Sequence, residues 1–370
     1  MKLLKKGYTT GTCAAAATQG AVAAALTGVF PEKVKVVTPN NTELNLKLLY
    51  KKKIRNIFRC AVRKYSGDDP DVTAGALIYA YVSLIEDNLD RIILKGGKGV
   101  GTVTKPGLAC KVNEPAINPV PRKMIINEAR DIKNKMGFSG SIEITIVVPK
   151  GRELAKKTFN PKLGIVGGIS ILGTSGIVEP MSEQALIDTI KVELNVRKAE
   201  GKNSICITPG NYGQAFLKSN TVISEEDTVK CSNFIGDALL FVKEMGFKEI
   251  IFSGHLGKLV KVAGGVMNTH SKYGDRRMEI ISNHLEKLGA DEAIRNKIKN
   301  CVMVDDAIDI LESLGFKEKL MKALLISIED NVTKVLGKNI NVGVITFSNK
   351  YGLLIKSSSV DGIIERMNRC

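Results

Sequence analysis

The 370 residues contain no tryptophan, only three histidines and just 5% aromatic residues. Platforms for single-stranded nucleic acid stack bases on clustered aromatics, so nucleic acid is not an expected partner. The seven cysteines (Cys13, Cys60, Cys110, Cys206, Cys231, Cys301, Cys370) are odd in number, scattered and without a C-x-x-C pair. That spacing indicates neither a disulfide framework nor a zinc site, and no protein-bound metal is expected. No apolar run is long enough to cross a bilayer, and the start MKLLKKGYTTGT lacks the h-region of a signal peptide. A cytoplasmic protein without a membrane partner is expected. No G-x-x-x-x-G-K-[ST] occurs, which speaks against a P-loop ATPase.

What is present is positive charge. A net +16 implies attraction to anions: nucleic acid, anionic lipid or a polyanionic small molecule. Lys51 to Lys53 read as a solvated basic stretch. With 44% hydrophobic residues the chain can bury a sizeable core, and its length suggests two domains.

Residues 1–162 mix strand-like runs (VKVVTP, IRNIFRCAV, RIILKG, SIEITIVV) with helices expected at 12–27, 72–87 and 122–136, an α+β pattern. A joint is expected at KKTFNPK, where Asn160 and Pro161 break regular structure. In 163–370, LGIVGGISILG, NSICITPG, KEIIFSGH and INVGVITFS alternate with helices near 182–199, 232–245 and 318–336. That alternation predicts an α/β domain with a mostly parallel, Rossmann-like sheet.

Several segments carry candidate chemistry. In KKGYTTGTCAAAA, Thr9, Thr10, Gly11 and Thr12 lead into an alanine helix; Thr10 or Thr12 can cap it, or the free N–H groups can bind an anion. RIILKGGKGVGTVTKPGL has glycines spaced as in a nucleotide loop, but Pro106 and Gly107 follow where a helix should start. It reads as a flexible loop presenting N–H groups around Gly99, with Lys95, Lys98 and Lys105 adding charge. In SGDDPDVTAGA, Asp69 or Asp71 can cap the following helix, or Asp68, Asp69 and Asp71 can handle a proton. Asp69, fixed by Pro70, is the leading acceptor. In open parallel sheets ligands bind beyond the strand C-termini, which points to GTSGIVEP (Thr174, Ser175, Gly176, Glu179), TPGNYGQ (Thr208, Gly210, Asn211, Gly213) and SGHLGKLVK (Gly254, His255, Gly257). His255 is a second base candidate.

Taken together, GYTTGTCAAAA, SGDDPDVTAGA, KGGKGVGTVTKPGL, EPAINPVPR, NPKLGIVGGISILGTSGIVEP, TPGNYG and SGHLGKLVKVAGGVMNTHS with DRRMEI closely resemble the CbiD family. The resemblance runs from the first residues to about Ile280. It implies a cobalt-precorrin-5B C1-methyltransferase of anaerobic cobalamin biosynthesis, with S-adenosylmethionine as methyl donor and a cobalt-corrinoid as substrate. Cobalt then arrives inside the substrate. The first domain is expected to hold the corrinoid, through Thr9–Thr12 and the lysine-rich loop, and the second the donor. The resemblance assigns no catalytic residue. A basic RNA-binding protein and a nucleotide-using enzyme with a glycine-rich loop remain the alternatives, and homo-oligomerisation is left open.

Overall fold

The alanine stretch forms one helix, Thr10–Thr27, in which Cys13 to Ala17 are wholly buried. A helix apolar on every side belongs inside a core. Small side chains let it lie close to its neighbours: the Cys60 thiol of one strand donates to the Ala17 carbonyl at 3.2 Å, and a Cβ on Gly11 would come within 2.6 Å of Pro121. With the helix Pro119–Lys135 it covers one face of a five-stranded sheet. The strand order is Leu49–Ile54, Ile57–Arg63, Leu77–Ile85, Ser141–Val147, Ile92–Gly96, antiparallel except for the last pair.

This computed structural model describes residues 4–368, and it divides after Glu183 rather than after residue 162. The reason lies in the pairing of the 163–178 segment. Ile165–Val166 pairs with Thr102–Val103, Gly168–Ile169 with Gly99–Val100, and Ile177–Val178 with Gly7–Tyr8. LGIVGGISILG is therefore no strand of the second unit. Residues 72–87 also differ from expectation: a turn leads into the strand Leu77–Ile85. Alternating buried Ile78, Ala80 and Val82 with half-buried Leu77, Tyr79 and Tyr81 is a period of two, which the small residues of DVTAGA obscured.

From Gln184 onward a second five-stranded sheet forms, in the order Thr228–Lys230, Ser204–Thr208, Glu249–His255, Asn341–Ser348, Gly352–Lys356. The first four strands run parallel and the last antiparallel, so both large sheets of the protein are mixed. Cys206, Ile251 and Ile345 on one face pack against Leu217 of helix Asn211–Asn220 and Ile363 of helix Ser359–Met367. Ile205, Ile207, Ile250 and Phe252 on the other meet helices Ile235–Glu244, Leu256–Ala263 and Lys317–Leu336. After Ser204–Thr208 the chain thus moves outward to Thr228–Lys230 over one face, then returns over the other to Glu249–His255.

Candidate functional site

That reversal falls at the carboxyl ends of Ser204–Thr208 and Glu249–His255, the place where open α/β sheets bind ligands. The segments TPGNYG and SGHLGK meet there. Lys258 donates to the Pro209 carbonyl and to Asn233 Oδ1, both at 2.9 Å, and a Cβ on Gly254 would lie 3.2 Å from the Pro209 ring. Gly210 begins the helix Asn211–Asn220 at φ 131°, a left-handed value that suits glycine, and no side chain caps that helix. Gly213 lies hard against Thr208, whose hydroxyl would be 1.6 Å from any added Cβ. The hydroxyls of Thr208 and Ser253 are both buried and, among the described residues, without a hydrogen-bond partner. Lys230, at the end of the neighbouring strand, donates to Asn211 Oδ1 at 3.1 Å.

His255 caps the helix Leu256–Ala263, its Nδ1 accepting the Gly257 N–H at 3.1 Å. Burial lowers its pKa below the ordinary imidazole value, with the Asp305 carboxylate pulling upward and the Arg277 guanidinium further downward. With Nδ1 occupied as acceptor, the proton sits on Nε2. In the neutral ring His255 is then an N–H donor at Nε2. Its ring packs edge-on to Phe347 at 5.7 Å and tilted to the exposed Tyr212 at 6.5 Å. Burial likewise lowers the Lys258 ammonium. Arg277 lay in a segment singled out in the sequence, yet only the fold brings it, and Asp305, near His255.

Thr174, Ser175, Gly176 and Glu179 belong instead to the first unit. The Gly176 carbonyl accepts the Thr9 N–H at 3.0 Å and the Thr12 hydroxyl at 2.8 Å, while the Leu172 carbonyl accepts the Gly11 N–H at 3.0 Å. Thr9 caps the helix by accepting the Thr12 N–H at 3.2 Å, and Thr10 exchanges hydrogen bonds with Leu172. The N-terminus of the alanine helix is thus filled by protein carbonyls, not open to an anion. Ser175 bonds to its own turn, Thr174 is exposed, and Glu179 pairs with Lys6 at 2.7 Å.

The acidic turn closes the same region, and its three carboxylates have separate duties. Asp68 accepts the Lys5 N–H at 2.8 Å and Asp69 the Met181 N–H at 3.0 Å. Asp71 binds the buried Lys64 ammonium and accepts from the Thr73 N–H and hydroxyl, each at 2.7 Å. Burial raises the Asp71 carboxyl, but Lys64 and Thr73 outweigh it and hold it below its ordinary value. These acids pin chain segments together, each with its own partner.

The glycine-rich loop is no free N–H cradle either. Gly97 N–H goes to Ile146, Gly101 N–H to Ile169 and Thr104 N–H to Gly164. Gly99, at φ 79°, sits so close to Val148 that a Cβ would meet its carbonyl at 1.8 Å. Lys95 pairs with Glu143 at 2.6 Å, the Lys105 stem covers Gly164, and Lys98 is exposed. A wide cleft of about 750 Å3 opens at the amino-terminal edge of the second sheet. Of its two carboxylates, Glu249 and Glu329, the first is already held by Ser204 at 2.8 Å, Asn341 at 3.2 Å and Arg366 at 2.8 Å.

The chain thus comprises one α/β unit with a strand-order reversal and one unit closed over an alanine helix, each with a mixed sheet. Residues 1–180 match the family model CbiD, and residues 268–358 match CbiD, C-terminal domain. A cobalt-precorrin-5B C(1)-methyltransferase of Ruminiclostridium cellulolyticum is 42% identical over 94% of this chain and 90% of its own length. One from Alkaliphilus metalliredigens is 41% identical over 98% and 95%. The chain belongs to the CbiD family. A crystal structure of a cobalamin biosynthesis protein (cbiD) from Archaeoglobus fulgidus is 30% identical over 74% of this chain and 84% of that one, with a TM-score of 0.40.

Proposed function

We propose that this protein is an S-adenosylmethionine-dependent C-methyltransferase that methylates C1 of cobalt-precorrin-5B, giving cobalt-precorrin-6A. The observation that carries the reading is the near-full-length identity to relatives bearing that activity as their name. The second unit, whose parallel strands resemble a Rossmann-like sheet with one antiparallel edge, holds the donor at its carboxyl edge. The uncapped helix at Gly210 suits the donor's carboxylate, Tyr212 offers a ring for adenine, and His255 Nε2–H donates to an acceptor on the donor or substrate. The first unit holds the corrinoid.

Methyl transfer forms a carbon–carbon bond as the sulfonium carbon–sulfur bond breaks, and S-adenosylhomocysteine leaves with the electron pair. No protein nucleophile is required. In-line positioning and exclusion of water supply the rate. Purified protein given both substrates should release S-adenosylhomocysteine only when the corrinoid is present. Release without corrinoid, or none with it, would reject the assignment.

A further inference from the structure

The face of the first sheet that turns away from the alanine helix has an unusual makeup. Pairing places Lys52 opposite Arg59, Arg59 opposite Tyr81, Tyr81 opposite Thr145 and Thr145 opposite Lys95, one row across all five strands. In the next row Ala61 stands opposite Tyr79 and Tyr79 opposite Val147. Residues paired in this way share a face. The Tyr79 ring meets Tyr81 edge-on at 6.0 Å and Tyr50 at 6.1 Å. The Arg59 guanidinium stands 5.5 Å from the Tyr81 ring centre and donates to its hydroxyl at 3.3 Å. Arg63, four residues on from Arg59 in the same strand, points to the same side and is exposed.

Tyr50 reaches this face through an irregularity. The register shifts between Leu49 and Lys52, and Tyr50 takes a φ of 51°. A tyrosine in the left-handed region is strained, and a bulge serves to re-aim a side chain. The outcome is a ring left 57% exposed above Tyr79. Among the described residues, no carboxylate pairs with Lys52, Arg59 or Arg63, and the Arg59 Nε is buried without a partner. Glu143, on the same face, is taken by Lys95.

We infer that this sheet face is the docking surface for the substrate macrocycle, with Tyr50, Tyr79 and Tyr81 beneath the conjugated ring and Lys52, Arg59 and Arg63 on its peripheral carboxylates. The inference rests on the proposed function, which supplies a flat, multiply anionic ligand. The unpaired cations complement such a ligand. A second copy of this chain meeting the face about a two-fold axis would bring like charges together. Five strands at about 4.8 Å spacing make a platform roughly 20 Å wide, broad enough for a tetrapyrrole.

The probe is a cobalt corrin with free peripheral carboxylates, together with its fully methyl-esterified form, titrated by visible absorbance. The wild type should bind the acid at least about tenfold more tightly than the ester. Tyr50→Ala and Arg59→Ala should each weaken the acid about tenfold, with S-adenosylhomocysteine affinity and melting temperature kept. Lys52→Glu, at an exposed position, repeats the test should Arg59→Ala fold poorly. Unchanged affinity in the variants of a wild type that binds would overturn the docking face alone. A wild type that binds neither corrin would overturn the functional reading as well. Altered self-association with unchanged corrin affinity would reassign the face to contact between copies, and so reject it.

Discussion

At the residue scale, charged groups in the first unit divide by what burial does to them. Lys64 is almost wholly enclosed and depends on Asp71 and on Ser66 Oγ at 2.8 Å. Asp71→Ala leaves that ammonium uncompensated, and should cost about 3–5 kcal/mol in denaturant unfolding. Glu128, on helix Pro119–Lys135, is the opposite case. Burial and the nearby Asp131 push its carboxyl to about 7, with Lys135 opposing. A folded pKa above the unfolded 4.5 means that stability is lost as pH rises from there to about 7 and is level above. Glu128→Gln should therefore be more stable than the wild type by about 2 kcal/mol at pH 8, allowing for partial solvent screening, and equal to it near pH 4. Equal melting curves at pH 8 would mean that the carboxylate is solvated. Sequence singled out Asp68, Asp69 and Asp71 because their crowding was visible. It could not show that their partners are Lys5, Met181 and Lys64, two of them backbone N–H groups far along the chain or before it.

At the scale of elements, local pattern and long-range pairing contributed differently to legibility. The helix Thr10–Thr27 follows from its alanines and the turn residues before it, and the helix Pro119–Lys135 and the strands Ser204–Thr208, Glu249–His255 and Asn341–Ser348 from periodicity and turn residues. The segment 163–178 does not. Its glycines and short apolar runs suit a buried strand, yet only its two-residue pairings with Gly99–Val100, Thr102–Val103 and Gly7–Tyr8 decide where it goes. Tyrosines spread through the sequence likewise gave no hint of a shared sheet face, because cross-strand register is invisible in one chain. The loop pair TPGNYG and SGHLGK at the carboxyl edge of the second sheet was legible, since glycine at a strand end is a local signal with a backbone cause. Gly213→Ala tests that element. A Cβ there must displace the Thr208 hydroxyl and disturb the start of helix Asn211–Asn220. S-adenosylhomocysteine affinity by calorimetry should fall about tenfold or more, while corrin binding is retained. Undiminished affinity would move the donor away from this edge.

For the whole molecule, the charge of +16 and the division into two units fit one account, in which a basic protein gathers a polyanionic ring while a separate crevice holds a methyl donor. The central claim concerns the carbon that receives the methyl, and isotope labelling addresses it most directly. Protein incubated with cobalt-precorrin-5B and S-adenosylmethionine carrying a 13C methyl should yield a corrinoid heavier by one labelled methyl, with the label bonded to ring carbon C1 in the carbon NMR spectrum. Label on another ring carbon, on a carboxylate oxygen or on the protein itself would contradict the account.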